Sequence, residues 1–118
     1  VIYFDFDKYN IRTDAAAELD KVIEVMNKYP ELKIHATSHT DSRGPASYNM
    51  RLSKRRANSS VEYIVFKGID ADRLTNEGMG ETNLVNDCGD GKKCTEEEHQ
   101  LNRRTKFKVV EQIKVKQE

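Results

Sequence analysis

The sequence predicts a single α/β domain: a βαβαββ-type small mixed sheet with two main helices packed on it and a polar insertion before the last strand. Three observations lead there. The chain has 118 residues, the size of one domain with one core. Its apolar residues alternate between a period of two and a period near 3.6, in the order strand, helix, strand, helix, strand. One long stretch, residues 80–102, has no apolar period and reads as an insertion within the domain that spans 1–118.

Val1 to Phe6 alternates Ile2, Phe4 and Phe6 with Val1, Tyr3 and Asp5, which predicts a first strand. Because Val1 already lies in that strand, the chain reads as an excised or processed domain. From Asp14 the period changes: Ala15, Leu19, Val22, Ile23 and Met26 form one helical stripe, with Thr13 as the expected N-cap and Pro30 stopping the helix after Tyr29. Leu32 to Thr40 predicts a second strand with Ile34, Ala36 and Ser38 on one face. Pro45 sits where a first helical residue belongs, and the second helix is expected to run to Lys67, with Ala57, Val61, Ile64 and Val65 inward and Gly68 at the C′ position. Arg73 to Gly78 and Thr105 to Ile113 complete the strands, and one helical turn is expected at Glu96 to Gln100. Strand–helix–strand units imply parallel neighbours, with the last strand antiparallel.

The charge balance narrows the function. Twenty basic residues offset 20 acidic ones at a pI near 7.0, so neither nucleic acid nor an anionic membrane surface is the expected partner. The uneven part is the C-terminal end, where Arg103, Arg104, Lys106, Lys108, Lys114 and Lys116 face only Glu111 and Glu118; a solvated strand is expected. No apolar run is long enough for a membrane span, so membrane attachment would come only from an upstream anchor. Cys88 and Cys94 lie in a polar stretch, for which a local disulfide in an oxidising compartment is the simplest account.

The residues that could carry chemistry follow the second strand. Asp41 ends it, Ser42, Arg43 and Gly44 form the connection, and Asn49, Ser53 and Arg56 fall within roughly 60° of one another around the next helix. A carboxylate, an amide, a hydroxyl and a guanidinium would then line one cleft at a strand end, where α/β sheets tend to bind ligands. Opposite charges in one cleft suit a zwitterionic ligand, Arg56 forking onto its carboxylate and Asp41 accepting from its ammonium. The same spacing also suits a plain Asp41–Arg56 pair pinning loop to helix.

The blocks Thr40-Asp41-x-x-Gly44, Tyr48-Asn49-x-x-Leu52-Ser53-x-x-Arg56-Ala57, Tyr63-Ile64-x-x-x-Gly68-Ile69, Gly78-x-Gly80-Glu81 and Asn102-Arg103-Arg104 resemble the C-terminal domains of outer-membrane protein A, shared with peptidoglycan-associated lipoproteins and flagellar-motor stator proteins. The resemblance implies a periplasmic domain, the C-terminal part of a larger envelope protein, attached to the outer membrane through its parent protein, that binds peptidoglycan without covalent attachment. It further implies recognition of the diaminopimelate residue of the stem peptide by Asp41 and Arg56, supported by Asn49 and the backbone amides after Asp41. Two positions depart from the pattern: Ser38 stands where the family usually has glycine, and the insertion is longer than in many members.

Other readings fit less of the chain. His35, His39 and Asp41 alternate along one strand, but i and i+4 side chains on a strand lie about 13 Å apart, too far for one zinc. Asn86, Cys88, Asp90, Gly91 and Glu97 imitate a calcium-loop register with cysteine at a ligand position. The serines lack a nucleophile elbow, so no enzyme and no cofactor are expected. A protein-interaction module of the same fold without the ligand is the remaining alternative.

Overall fold

The computed structural model describes residues 1–112, so Ile113 of the expected last strand, together with Lys114, Lys116 and Glu118, lies outside the described residues. The elements are β1 (Ile2–Tyr3), α1 (Thr13–Lys28), β2 (Leu32–Ser38), α2 (Ala46–Phe66), β3 (Leu74–Gly78), α3 (Glu96–Gln100) and β4 (Arg104–Gln112), with a 3-10 turn at Ala71–Arg73. Four strands form one mixed sheet in the order β1-β4-β2-β3. β2 runs parallel to β3, with Ile34 opposite Leu74, while β4 is antiparallel to both β2 and β1. The expected parallel neighbours are therefore found for β2 and β3 only. β1 and β2 are separated by the last strand, which takes hydrogen bonds on both edges.

Leu32, Ile34, Ala36 and Ser38 of β2 are buried and the residues between them are half-buried, the alternation of a sheet covered by helices on one face. Ile34 meets Ala15, Leu19, Ile23 and Met26 of α1, Ile64 of α2, and Ile2, Phe4, Ile69 and Leu74 in one core. Ala57 is also fully buried, whereas Val61 and Val65 only flank that core. Among the described residues no helix is long and apolar enough to cross a membrane.

Helix boundaries moved by a residue. Arg12, not Thr13, is the N-cap of α1 and offers no side-chain cap; the first turn is served instead by Asp14, whose carboxylate accepts from the Ala15 N–H and from the Arg12 guanidinium. Pro45 is the N-cap of α2 rather than its first residue. At the other end of α2 Gly68 has φ +106°, the left-handed C′ conformation expected of it.

Ser38, one of the two positions that depart from the resemblance noted in the sequence, is fully buried and its hydroxyl pairs with that of Thr105 directly across the β2–β4 ladder. Ser60 of α2 reaches the same Thr105 hydroxyl at 3.4 Å. A hydroxyl on the sheet's inner face is thus absorbed by a small polar cluster, and the strand keeps its register up to the site.

Candidate cleft at the end of the second strand

The chain leaves β2 at Ser38, continues extended through Thr40, and turns sharply at Asp41. That turn is held by Asp41 itself, whose Oδ1 accepts from the Arg43 N–H at 3.0 Å. Gly44 follows with φ +94°, a conformation that favours glycine, and the chain then enters α2. Asn49, one turn into α2, donates from its amide to the Arg43 carbonyl and to Glu81 Oε1, both at 3.0 Å, tying loop, helix and insertion together. Between this loop and the segment after β1 opens a cleft of about 500 Å³. Four guanidinium groups (Arg43, Arg51, Arg56, Arg103) and two carboxylates (Asp7, Asp41) line it, with Phe6 and Tyr48 as its apolar wall.

Asp41 is almost fully buried. Burial works against its charge, but hydrogen bonds from the Arg43 side chain and backbone and from Arg103 outweigh that and hold its pKa below the ordinary value. Its Oδ2 accepts from Arg43 Nη2 at 2.9 Å and Arg103 Nη1 at 3.1 Å, so the carboxylate is ionised and fixed. Arg43 in turn stacks on Phe6 with its guanidinium 4.1 Å from the ring centre.

Arg56 has no exposed surface, yet its side chain borders the cleft. Its Nε donates to the Lys8 carbonyl at 2.8 Å, Nη1 to that of His39 at 3.2 Å and Nη2 to that of Asp5 at 3.1 Å. Burial, and then the neighbouring Arg103, lower its pKa to about 10, which leaves it cationic at neutral pH. A guanidinium carries five N–H donors, so two remain beyond these three bonds among the described residues. The spacing-based alternative of a direct Asp41–Arg56 pair is not what forms: Asp41 pairs with Arg43 and Arg103, and Arg56 pins the segment 5–8 to the end of β2.

Of the residues singled out from the sequence, Asp41, Arg43, Gly44, Asn49 and Arg56 surround the cleft and two do not. Ser53 is fully buried and turned toward the end of β3, where its hydroxyl accepts from the Gly80 N–H and donates to the Met50 carbonyl. Helical spacing put it on the right arc, but the close approach of Gly78 to α2 claims that arc: a Cβ at Gly78 would lie 2.5 Å from the Lys54 backbone nitrogen. Ser42 is likewise buried, its hydroxyl donating to the Cys88 carbonyl.

Arg103 and Arg104 correct the expectation of a solvated basic strand. Both are buried, Arg103 bonding Phe4 O, Asp41 and Glu96, and Arg104 bonding the carbonyls of Asn102 and Asn83. Arg103 was missed as a site residue, although it stood in one of the five blocks quoted above.

The insertion carries a Cys88–Cys94 disulfide, as expected. Although it lies in a polar stretch, Cys88 is buried, and its carbonyl accepts from Ser42 of the Asp41 loop. Asn86, the first position of the calcium-like register, accepts at Oδ1 from Asn102 and donates to the Glu98 carbonyl. The histidines do not converge on Asp41: His35 bonds the Thr75 hydroxyl, and buried His39 has neither ring nitrogen hydrogen-bonded among the described residues. Among those residues the one cluster of metal-type ligands is Cys88, Cys94 and Glu98, whose sulfurs are consumed by the disulfide.

The profile of the OmpA family matches residues 3–98. The chain belongs to the OmpA family. Outer membrane protein A of Bordetella avium is 37% identical over 108 residues, covering 92% of this chain and 53% of that protein. The peptidoglycan-associated lipoprotein of Rhizobium meliloti is 37% identical over 89 residues, 75% of this chain and 51% of that one. A crystal structure of the peptidoglycan-associated lipoprotein from Burkholderia pseudomallei superposes with a TM-score of 0.81 at 24% identity, covering 90% of this chain and 86% of that chain, which confirms the fold. This OmpA-family chain thus spans about half the length of those two relatives, and 10% of Photosystem I P700 chlorophyll a apoprotein A2 of Gloeobacter violaceus, which it matches at 42% identity over 84 residues. Arg103 and β4 lie beyond the residues that the family profile matches.

Proposed function

We propose that this domain is a non-catalytic module that binds peptidoglycan and anchors the outer membrane, or an envelope complex, to the cell wall. In this reading it works in the periplasm, its parent protein supplies the membrane attachment, and it grips the diaminopimelate residue of the stem peptide. The observation that carries the reading is one cleft holding a fixed, ionised carboxylate near a buried guanidinium with unused donors. Diaminopimelate ends its side chain in an ammonium and a carboxylate. The two spare N–H groups of Arg56 fit the carboxylate, and the remaining acceptor capacity of Asp41 fits the ammonium. Asn49 and Gly44 shape the loop whose amides approach the ligand, Arg43 flanks it, and Phe6 and Tyr48 offer a wall to its methylene chain. Ser42 ties that loop to the insertion through the Cys88 carbonyl, and Ser53 holds α2 against the end of β3. Membership of the OmpA family, and similarity to a peptidoglycan-associated lipoprotein, point the same way.

The test is calorimetry with two muropeptides that differ only in diaminopimelate or lysine at the stem position. Lysine offers an ammonium alone and leaves the buried Arg56 without its acceptor, so diaminopimelate should bind tighter by about 2 kcal/mol, tens-fold in affinity. Equal affinities would overturn the assignment of Arg56 to the carboxylate. No retention of the protein on purified sacculi would overturn the peptidoglycan reading itself.

A further inference from the structure

The charged groups of the cleft continue into the insertion. Glu96, the first residue of α3, accepts from Arg103 Nη2 at 2.6 Å through one carboxylate oxygen and from Arg43 Nη2 at 3.1 Å through the other. The same two arginines hold Asp41 Oδ2 at 3.1 and 2.9 Å. Asp41, Arg43, Glu96 and Arg103 therefore close a ring of alternating charge whose sum is zero. Glu96 is anchored from behind, because Thr95 and Glu98 form a reciprocal capping box at the start of α3 and Cys94, next in the chain, is tied to Cys88. Its carboxyl is held below the ordinary range, first by the Arg103 hydrogen bond.

The balance matters for what Asp41 can bind. Without Glu96, two guanidiniums would rest on one carboxylate with a third, Arg56, nearby, and the local field would repel a cation. With Glu96 present, the arginines share their charge between two carboxylates, and Asp41 keeps attraction for an ammonium. We infer that Glu96 is a positioning residue for recognition of the ligand's ammonium, drawing Arg43 and Arg103 partly off Asp41. The insertion is then a working wall of the site and not an appendage. This inference rests on the diaminopimelate reading above.

The experiment is calorimetry of wild type, Glu96→Gln and Glu96→Asp against a diaminopimelate muropeptide and against the same peptide lacking the terminal ammonium. Glutamine keeps a carbonyl to accept from Arg103, and the Glu96 side chain is 55% exposed, so the fold should survive, as an unchanged melting curve would verify. Glu96→Gln should weaken the diaminopimelate peptide about tenfold and leave the analogue within about twofold. Glu96→Asp should recover most of the loss, which a merely structural role of the side-chain shape would not allow. Equal weakening toward both ligands, failure of aspartate to rescue, or no weakening would each overturn the inference while wild-type binding leaves the proposed function standing. Absence of wild-type binding to the diaminopimelate peptide would remove the proposed function and this inference with it.

Discussion

Replacing Arg56 by alanine should unsettle the domain as well as its ligand binding. The guanidinium is the donor to the carbonyls of Lys8 and His39, while Asp5 O, its third acceptor, also receives the Lys8 N–H. Truncation leaves the buried His39 carbonyl without that partner, at about 1 to 3 kcal/mol, while the Lys8 carbonyl, on an exposed residue, can turn to water at little cost. It also removes a cation seated 5.2 Å from the centre of the fully buried Phe4 ring, a further contribution on the order of 1 kcal/mol. Water entering the vacated space offsets part of this, so the expected loss is about 2 to 4 kcal/mol, a substantial share of the roughly 5–15 kcal/mol that stabilises a domain of this size. Urea denaturation followed by circular dichroism measures it directly, and loss of binding by Arg56→Ala has to be interpreted against that value. Arg56→Lys should fall between, since an ammonium cannot span three carbonyls in one plane. A loss below about 1 kcal/mol for Arg56→Ala would refute the reasoning, because the three carbonyl bonds would then be immaterial to the fold.

Two further outcomes follow from buried groups. His39 is pushed down from 6.5 to about 4, first by burial and then by Arg104 and Lys106, so the unfolded chain takes up its proton before the folded one. Stability should be full above about pH 6.5, fall by at most about 3 kcal/mol as pH drops to 4, and fall further below that as Asp41 protonates; His39→Gln should flatten the upper part of this curve, and a wild-type curve already flat between pH 7 and 4 would count against it. Reduction of Cys88–Cys94, a loop with a sequence separation of 6, should release about 2 kcal/mol of chain constraint locally, so amide exchange should rise across residues 85–101 and leave α1 and β2 protected; exchange unchanged in the insertion would show that its other contacts suffice.

Both long helices and β2 were legible because their apolar residues recur at the periods those elements impose, and the start of α2 to within one residue because Pro45 favours a helix entry. The cleft was legible in Asp41, Asn49 and Arg56, where a strand end meets a helix start. What could not be read locally is whatever depends on distant partners. The burial of Arg103 is arranged by Phe4, 99 residues away, and by Glu96, and no periodicity reports it. Ser53 lies on the same helical arc as Asn49 and Arg56, but only the packed position of β3 decides that its hydroxyl serves Gly80. The two ends of the domain were likewise read as separate strands, with nothing in either to say that they pair.

That pairing has a kinetic consequence. β4 follows the other three strands in sequence yet lies between β1 and β2, and Arg103 fastens its start to Phe4 beside β1. A nascent domain that has emerged only as far as Gly80 can form the β2–α2–β3 unit, but β1 and the open edge of β2 still await their neighbour. Contacts so remote in sequence cost loop-closure entropy before they return any stabilisation, and proteins dominated by them fold in milliseconds to seconds rather than microseconds. Completion of the cleft is therefore a late event: Asp41 acquires Arg103 only when β4 has docked.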